Sequence, residues 1–172
     1  MFDSEKTPPH ILTEQEMLEL SPWDFDQAPN GWRSLTNPND PQSNLHAVRL
    51  IRQYMAENRE RIANQSIDKP ILKPEIMQFH IGQLLANSSS EHYPEAMESF
   101  AQSYHIDPED PWNYYVDATI GFLKKDVEGI KASLEQIEAV PSANPYKMSG
   151  NESVVKRLIT ALESGITDYS KV

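Results

Sequence analysis

Five histidines and one acid flanked by apolar residues are the side chains of this sequence best suited to chemistry. Zinc sites on helices use paired histidines four residues apart, as in a His-Glu-x-x-His pattern, and neither arrangement occurs here. The chain has no cysteine, which excludes thiolate nucleophiles, disulfides and cysteine-ligated zinc. We therefore predict neither a metal site nor a cofactor. The histidines are His10, His46, His80, His92 and His105.

Asp117 is the acid of interest, because it lies between apolar residues in Tyr-Tyr-Val-Asp-Ala-Thr-Ile. A buried carboxylate is sometimes a tuned acid or base. More often it accepts a hydrogen bond from a hydroxyl, for which Tyr114 and Tyr93 are candidate donors. The spacing offers no partner carboxylate, and the sequence lacks a phosphate loop, a nucleotide fingerprint and a nucleophile elbow. We expect a protein that is not an enzyme, and catalysis by Asp117 is the least favoured alternative.

The chain is acidic, with a formal net charge of -11 and a pI near 4.8. This charge repels phosphate backbones, so we expect no nucleic-acid partner. Residues 74–122 carry eight acids and no Lys or Arg, whereas residues 31–73 carry seven bases against four acids. Such an acidic flank is suited to steering a basic protein partner, although acids more commonly serve solubility alone. The flank is assigned to Glu95, Glu98, Asp107 and Glu109.

Two features bear on the compartment. The first ten residues contain neither the basic nor the apolar region of a secretory signal. No apolar run approaches the ~18 residues that a membrane-spanning helix needs. We therefore expect a cytoplasmic protein without membrane association.

Helical periodicity of the apolar residues predicts an all-α fold, since no segment shows strand alternation between turn signals. Residues 1–42 are rich in proline and are predicted to be an irregular segment packed on the body by its aromatic residues. Within it, Thr13 and Glu16 form a capping-box pattern that predicts a short helix to Leu20. Residues 43–172 form the helical domain.

Six longer helices are expected in the rest of the chain. Asp40 caps the first and Asp126 the fifth, and Gly165 ends the last. The predicted helices span about 41–63, 74 to a break at 86–92, 93–105, 112–123, 127–139 and 151–164.

A 34-residue spacing relates two of these helices to each other. Tyr93 and Val127 are separated by this interval, as are Phe100 and Leu134. Together with a small residue at Gly82, this pattern resembles tetratricopeptide repeats over residues 74–141. The segments Gly-Trp-Arg-Ser-Leu, Trp-Asn-Tyr-Tyr-Val-Asp-Ala-Thr-Ile-Gly-Phe-Leu-Lys-Lys-Asp and Val-Val-Lys-Arg-Leu-Ile also resemble an uncharacterised group of bacterial tetratricopeptide-like proteins. The chain departs from the repeat pattern at Ile130, where the family has a small alanine.

The resemblance implies a short stack of helix–turn–helix units with a C-terminal capping helix and a concave face lined by first helices. Such a face binds a peptide or a helix through aromatic anchors and side-chain amides. Each residue that the resemblance assigns to this face is, taken singly, also compatible with an ordinary core position. The groove positions map onto Phe79, Gln83, Trp112, Tyr115, Thr119 and Phe122.

We therefore expect a non-catalytic interaction module that binds a protein or peptide through the concave aromatic face, the acidic flank or both. An immunity protein or chaperone that neutralises a basic bacterial toxin or effector is the more specific alternative, because the chain is small and acidic. The irregular N-terminal segment is itself a possible occupant of the groove.

Overall fold

The computed structural model describes residues 11–66, 68, 70–142, 144 and 149–172, without the side chain of Ser149. Within these ranges the chain is mostly helical and contains no β-strand, which confirms the all-α prediction. His10 lies outside the described residues. The helices are α1 (Glu14–Leu18), α2 (Pro22–Gln27), α3 (Pro41–Glu57), α4 (Arg59–Ala63), α5 (Pro74–Ser88), α6 (Tyr93–Ala101), α7 (Pro111–Lys124), α8 (Val127–Ala139) and α9 (Ser149–Glu163), with 3-10 turns at Trp32–Leu35, Ser90–His92 and Tyr169–Lys171.

The helix starts follow the predicted caps. Thr13 accepts a hydrogen bond from the amide of Glu16, whose carboxylate accepts one in return, so the capping box before α1 is complete. The Asp40 carboxylate caps α3, which has Pro41 in its first turn, and the Asp126 carboxylate caps α8. These caps supply acceptors to amides that have no partner within the helix.

Two predicted helices end earlier than expected. The helix predicted to run to Ala63 breaks at Asn58, whose side-chain amide instead donates to the carbonyl of Leu18 at 3.2 Å. The helix predicted to reach His105 ends at Ala101. There the Asn113 amide accepts from the His105 N–H at 2.7 Å and donates to its carbonyl at 3.1 Å. At His105 a side chain from α7 thus takes the place of a helical carbonyl, whereas Asn58 keeps its backbone bond to the Tyr54 carbonyl and adds the side-chain bond to Leu18.

The N-terminal segment contacts α3 and α5. Phe25 is stacked on Tyr54 with ring centres 3.8 Å apart, and the Tyr54 hydroxyl donates to the carbonyl of Leu20 at 2.8 Å. Arg61 of α4 also donates to the carbonyls of Leu18 and Leu20. These contacts hold α1 and α2 on the helical body.

Successive helices pack along the rest of the chain, α5 on α6, α7 on α8, and α9 on both α7 and α8. Gly82 of α5 lies against the ring of Phe100 in α6, which is fully buried. The absence of a side chain at Gly82 sets how closely these two helices approach. In the described part of the chain, no helix is both long and apolar enough to cross a membrane.

Replacing Gly82 by alanine tests this close approach. A Cβ there would lie 2.6 Å from the Phe100 ring, which has no free space in which to move. We expect Gly82→Ala to lower the free energy of unfolding by about 1–3 kcal/mol, as overpacked cores do. Gly150→Ala is the matched control, because a Cβ at that position meets nothing within 4 Å. Urea denaturation of both variants gives the comparison, and equal stability would mean that the α5–α6 spacing does not depend on Gly82.

Candidate functional site

The aromatic positions predicted to line an open groove are buried. Five of the six predicted groove residues are at most 6 % exposed, so their side chains are core and not surface anchors. This placement corrects their assignment as a binding face, while Gln83 alone stays partly exposed. The five are Phe79, Trp112, Tyr115, Thr119 and Phe122.

The burial has two causes. Phe79 lies between α6 and α7, with its ring centre 5.0 Å from that of Phe100 and 4.8 Å from that of Trp112. The C-terminal residues then cover α5 and α7, so that Tyr169 meets the edge of Phe122 at 5.7 Å. The predicted groove is therefore closed, because Phe79 packs between α6 and α7 and Tyr169 covers Phe122.

The four acids of the predicted flank are placed on two elements. Glu98 of α6 is exposed, whereas Glu95 pairs with Arg52 of α3 at 2.8 Å. Asp107 and Glu109 are exposed in the loop before α7 and line a cleft of about 750 Å³. Among the described residues, no group of three potential ligands is arranged to hold a metal ion.

Asp117 is exposed on α7 and is not the buried carboxylate that its apolar neighbours suggested. It accepts a 2.6 Å hydrogen bond from the hydroxyl of Tyr104, so neither Tyr114 nor Tyr93 is the donor. Burial, and then the negative charge of Asp117, raise the pKa of Tyr104 well above its usual range. Tyr104 is thus held as a neutral donor at physiological pH.

Asp26 is the buried carboxylate of this protein, with 0 % exposure, and sequence reasoning did not identify it. One carboxylate oxygen accepts from Nε1 of Trp32 at 3.0 Å and contacts Nδ1 of His80 at 2.9 Å. The other accepts from the side-chain amide of Gln27 at 2.6 Å. Three donors thus compensate a carboxylate that would otherwise be costly to remove from water.

Arg33 completes this network from the 3-10 turn that follows α2. Its Nε donates to the backbone carbonyl of Asp26 at 2.8 Å, and its guanidinium lies 4.3 Å from the centre of the Trp32 ring. Its Nη2 lies 3.4 Å from Nε2 of His80. Since a guanidinium only donates, Nε2 is the acceptor and the proton of a neutral His80 is on Nδ1, directed at Asp26.

The pKa of Asp26 is lowered by this arrangement. Burial alone would raise the pKa of the carboxyl, but hydrogen bonds and charge interactions with His80, Trp32 and Arg33 outweigh it. Asp26 is therefore ionised in the folded protein at neutral pH. The charge binds α2 and the 3-10 turn to α5.

A polar cleft of about 540 Å³ opens beside this network, and we call it the amide cleft. The side chains of Asn44 in α3 and Asn87 in α5 have no hydrogen-bond partner among the described residues. The Nη1 of Arg33 likewise has none within the described ranges. The cleft therefore presents free donors and acceptors, and its lining includes Arg33, Asn44, His80, Gln83, Asn87 and Ser170.

The second histidine–aspartate pair lies at the start of α7. Nδ1 of His105 is 2.7 Å from Asp110, and its ring is stacked on Trp112 with centres 5.6 Å apart. Its Nε2 is buried and has no partner among the described residues. This pair fixes the turn between α6 and α7, because Asp110 also accepts from the backbone amide of Trp112.

The sequence contained a weak signal for the amide cleft. Asp26, Trp32 and Arg33 lie within eight residues on either side of a Pro-Asn-Gly turn, which brings an acid, an indole donor and a guanidinium together. His80 is 54 residues from Asp26 and joins them only through the fold. Asn44 and Asn87 show no pattern in the sequence that marks them as lining one cavity.

The chain matches no protein-family model, no curated protein sequence and no solved structure. The resemblance of residues 74–141 to tetratricopeptide repeats therefore stays a prediction from residue types and spacing. The geometry of the described side chains carries the functional argument.

Replacing Asp26 by asparagine tests the role of the buried charge. The substitution keeps the shape but removes the charge that His80 and Trp32 satisfy, so we expect a loss of about 1–3 kcal/mol of stability at neutral pH. The control is Glu98→Gln, an exposed acid without an ion pair in the described part of the chain, which we expect to change stability by less than about 0.5 kcal/mol.

The difference in stability between the wild type and Asp26→Asn should depend on pH. Because the pKa of Asp26 is lower in the folded than in the unfolded protein, its contribution is complete above the unfolded value of about 4. It is lost as the pH falls through the folded pKa. Urea denaturation from pH 7 down to pH 3 should show the wild-type advantage over Asp26→Asn shrinking only below about pH 4. An advantage that is absent at neutral pH would contradict a stabilising charge network.

Proposed function

We propose that this chain is a non-catalytic, tetratricopeptide-like interaction module that binds a peptide segment of a partner protein in the amide cleft. The observation that carries the proposal is the pair of side-chain amides without partners, Asn44 and Asn87, which face one cavity from two helices. An amide both donates and accepts, as does each peptide unit of an extended ligand. Two such amides lining one cavity are suited to the backbone of a peptide without dictating its sequence.

The amide cleft is better suited to binding than to proton transfer. His80 is the only titratable ring among the residues that line the cavity, and the guanidinium of Arg33 occupies the lone pair of its Nε2. A general base needs that lone pair to be directed at its substrate. Arg33 itself retains Nη1 as a donor, and a guanidinium on a cleft wall is suited to a carboxylate or a carbonyl of the ligand.

The helical arrangement supports a repeat stack. The 34-residue interval relates α6 to α8, and each of these helices packs on the helix before it. Gly82 and Gly121 both lie where a second helix approaches closely, against Phe100 and Ile130 respectively. The two glycines are not separated by the 34-residue interval, but each allows the close approach of neighbouring helices that a stack of helix pairs requires.

Selection of a peptide ligand tests the amide cleft. A phage-displayed library of random peptides is selected on the wild-type chain, and each selected peptide is then measured on the double variant Asn44→Ala, Asn87→Ala. We expect its affinity to fall about 10–100-fold, because two hydrogen bonds to the peptide are lost. The control is Gln136→Ala, an exposed amide on α8 far along the chain from both walls. If the selected peptides bind the double variant and the Gln136→Ala control equally, the amide cleft is not the binding site.

A basic protein partner held by the acidic flank is a second candidate, which includes the neutralisation of a basic toxin or effector. The exposure of Glu98, Asp107 and Glu109 favours it, since none of them has an ion-pair partner in the described part of the chain. Glu95 contributes less, because its charge is already paired with Arg52. Exposed acids of this kind act mainly on the rate and salt dependence of association.

Charge reversal tests the flank. We expect the triple variant Glu98→Lys, Asp107→Lys, Glu109→Lys to weaken the binding of a basic probe protein, lysozyme, about tenfold at low salt and to flatten the salt dependence. The control reverses Glu57, Glu60 and Glu135, which gives the same net charge from exposed acids elsewhere. Equal weakening in both variants would mean that net charge alone, and no particular surface, attracts basic proteins.

A further inference from the structure

Residues 166–172 follow α9 and pack back against the helical body, and we call them the C-terminal segment. Gly165 makes the turn with φ 81°, a left-handed conformation that suits glycine at the end of a helix. The segment then contacts α5. Tyr169 is the least exposed of its seven residues, followed by residues such as Ile166 and Val172, which are 38 % exposed.

Tyr169 anchors the segment on a surface that includes Gln83, Tyr93 and Phe122, and we call this surface the seat of Tyr169. The Tyr169 ring packs edge-to-face with that of Phe122, with ring centres 5.7 Å apart, and the side chain of Gln83 lines the same cleft as Tyr169. Burial raises the pKa of Tyr169 to about 12. The seat is continuous with a cleft of about 200 Å³ lined in part by Tyr115, Arg157 and Leu158.

A single hydroxyl, that of Tyr93, holds the backbone around this anchor. It accepts from the N–H of Tyr169 at 2.9 Å and donates to the carbonyl of Thr167 at 3.3 Å. Asp168 shapes the turn locally, because its carboxylate accepts from the amide and the hydroxyl of Ser170. The segment therefore brings its own turn and one aromatic anchor, and the body supplies a ring edge, an amide and one hydroxyl.

This is a pattern by which a short peptide is recognised: one aromatic side chain on a complementary surface, and hydrogen bonds to the backbone that leads into it. Because the other six residues are more exposed than Tyr169, Tyr169 is the main packing contact between the segment and the body. We propose that the seat of Tyr169 is a binding site for tyrosine-bearing peptide turns of the Asp-Tyr-Ser type, and that the C-terminal segment is its resident intramolecular occupant.

The C-terminal segment would compete with any other peptide for the seat of Tyr169. A segment tethered to the body has an effective concentration on the order of millimolar at its own seat. A peptide from another molecule must displace it, so the apparent affinity falls by the fraction of time that the seat is open. The wild-type chain is thus expected to bind weakly, and a chain with the anchor removed is expected to bind well.

The test uses the full-length chain and a labelled peptide of residues 165–172, Gly-Ile-Thr-Asp-Tyr-Ser-Lys-Val. We expect the variant Tyr169→Ala to bind this peptide about tenfold more tightly than the wild type does, by fluorescence anisotropy. The same peptide with alanine in place of tyrosine should not bind either protein. Adding Tyr93→Phe to the Tyr169→Ala chain should weaken binding about fivefold, because both backbone hydrogen bonds are lost. The matched control adds Tyr104→Phe, whose hydroxyl bonds Asp117 instead and whose loss should leave binding unchanged.

Two measurements keep the result interpretable. Amide hydrogen exchange of residues 166–172 shows whether Tyr169→Ala has released the segment, and a released segment with no peptide binding at about 1 mM overturns the proposal. If circular dichroism shows that Tyr169→Ala is unfolded, the wild-type chain is titrated with unlabelled peptide to several times that concentration. Changes in the NMR signals of the Gln83 side-chain amide that depend on the peptide's tyrosine then support the seat, and their absence refutes it.

Peptide binding at the seat of Tyr169 does not require ligand binding in the amide cleft. Asn44→Ala, a change in that cleft on α3, should leave binding of the 165–172 peptide unaltered. Loss of peptide binding in that variant would mean that the peptide occupies the amide cleft and not the seat of Tyr169.

Discussion

The buried carboxylate of Asp26 is the constraint on which the amide cleft depends. A fully buried charge needs donors at fixed distances, and Trp32 and His80 supply them from two separate elements. The turn that carries Trp32 is thereby held against α5, and Arg33 is placed over the indole at the mouth of the cavity. Because desolvation offsets much of the attraction within such a group, its main effect is geometric. The charge network, together with the packing of Trp32 in the core, fixes where that wall of the cleft stands.

Local signals in the sequence predicted the helix boundaries well wherever the deciding interaction was itself local. The caps at Thr13, Asp40 and Asp126 act within three residues of their own position, so the residue types alone identify them. The breaks at Asn58 and after Ala101 were not predictable in this way. The side-chain bonds made at these places join Asn58 to Leu18 and Asn113 to His105, across 40 and 8 residues. A helical periodicity continues through both places, because it reports on apolar faces and not on competing hydrogen bonds.

The binding face was harder to predict than the fold, since apolar residues at helical spacing do not reveal whether their surface is open. Phe79 and Trp112 belong to the face expected of a first helix, but α6 and α7 close around them. The cover over Phe122 comes from Tyr169, which stands in a short polar segment without periodicity. The acid that matters most was missed for a similar reason. Asp26 is one of many acids in this chain, and only the return of α5 brings His80 to it.

Gln83 connects the two candidate binding surfaces. Its side chain lines the amide cleft and also the smaller cleft beside Tyr169. One amide cannot serve both at full strength, so a ligand that recruits Gln83 in the amide cleft withdraws it from the seat of Tyr169. Linkage would make this effect reciprocal: a cleft ligand that loosened the C-terminal segment would be opposed by that segment to the same degree. Ser170, the neighbour of the anchor, stands at the edge of the same cavity. If both proposed sites bind peptides, the C-terminal segment stands between two sites whose occupancies would oppose each other.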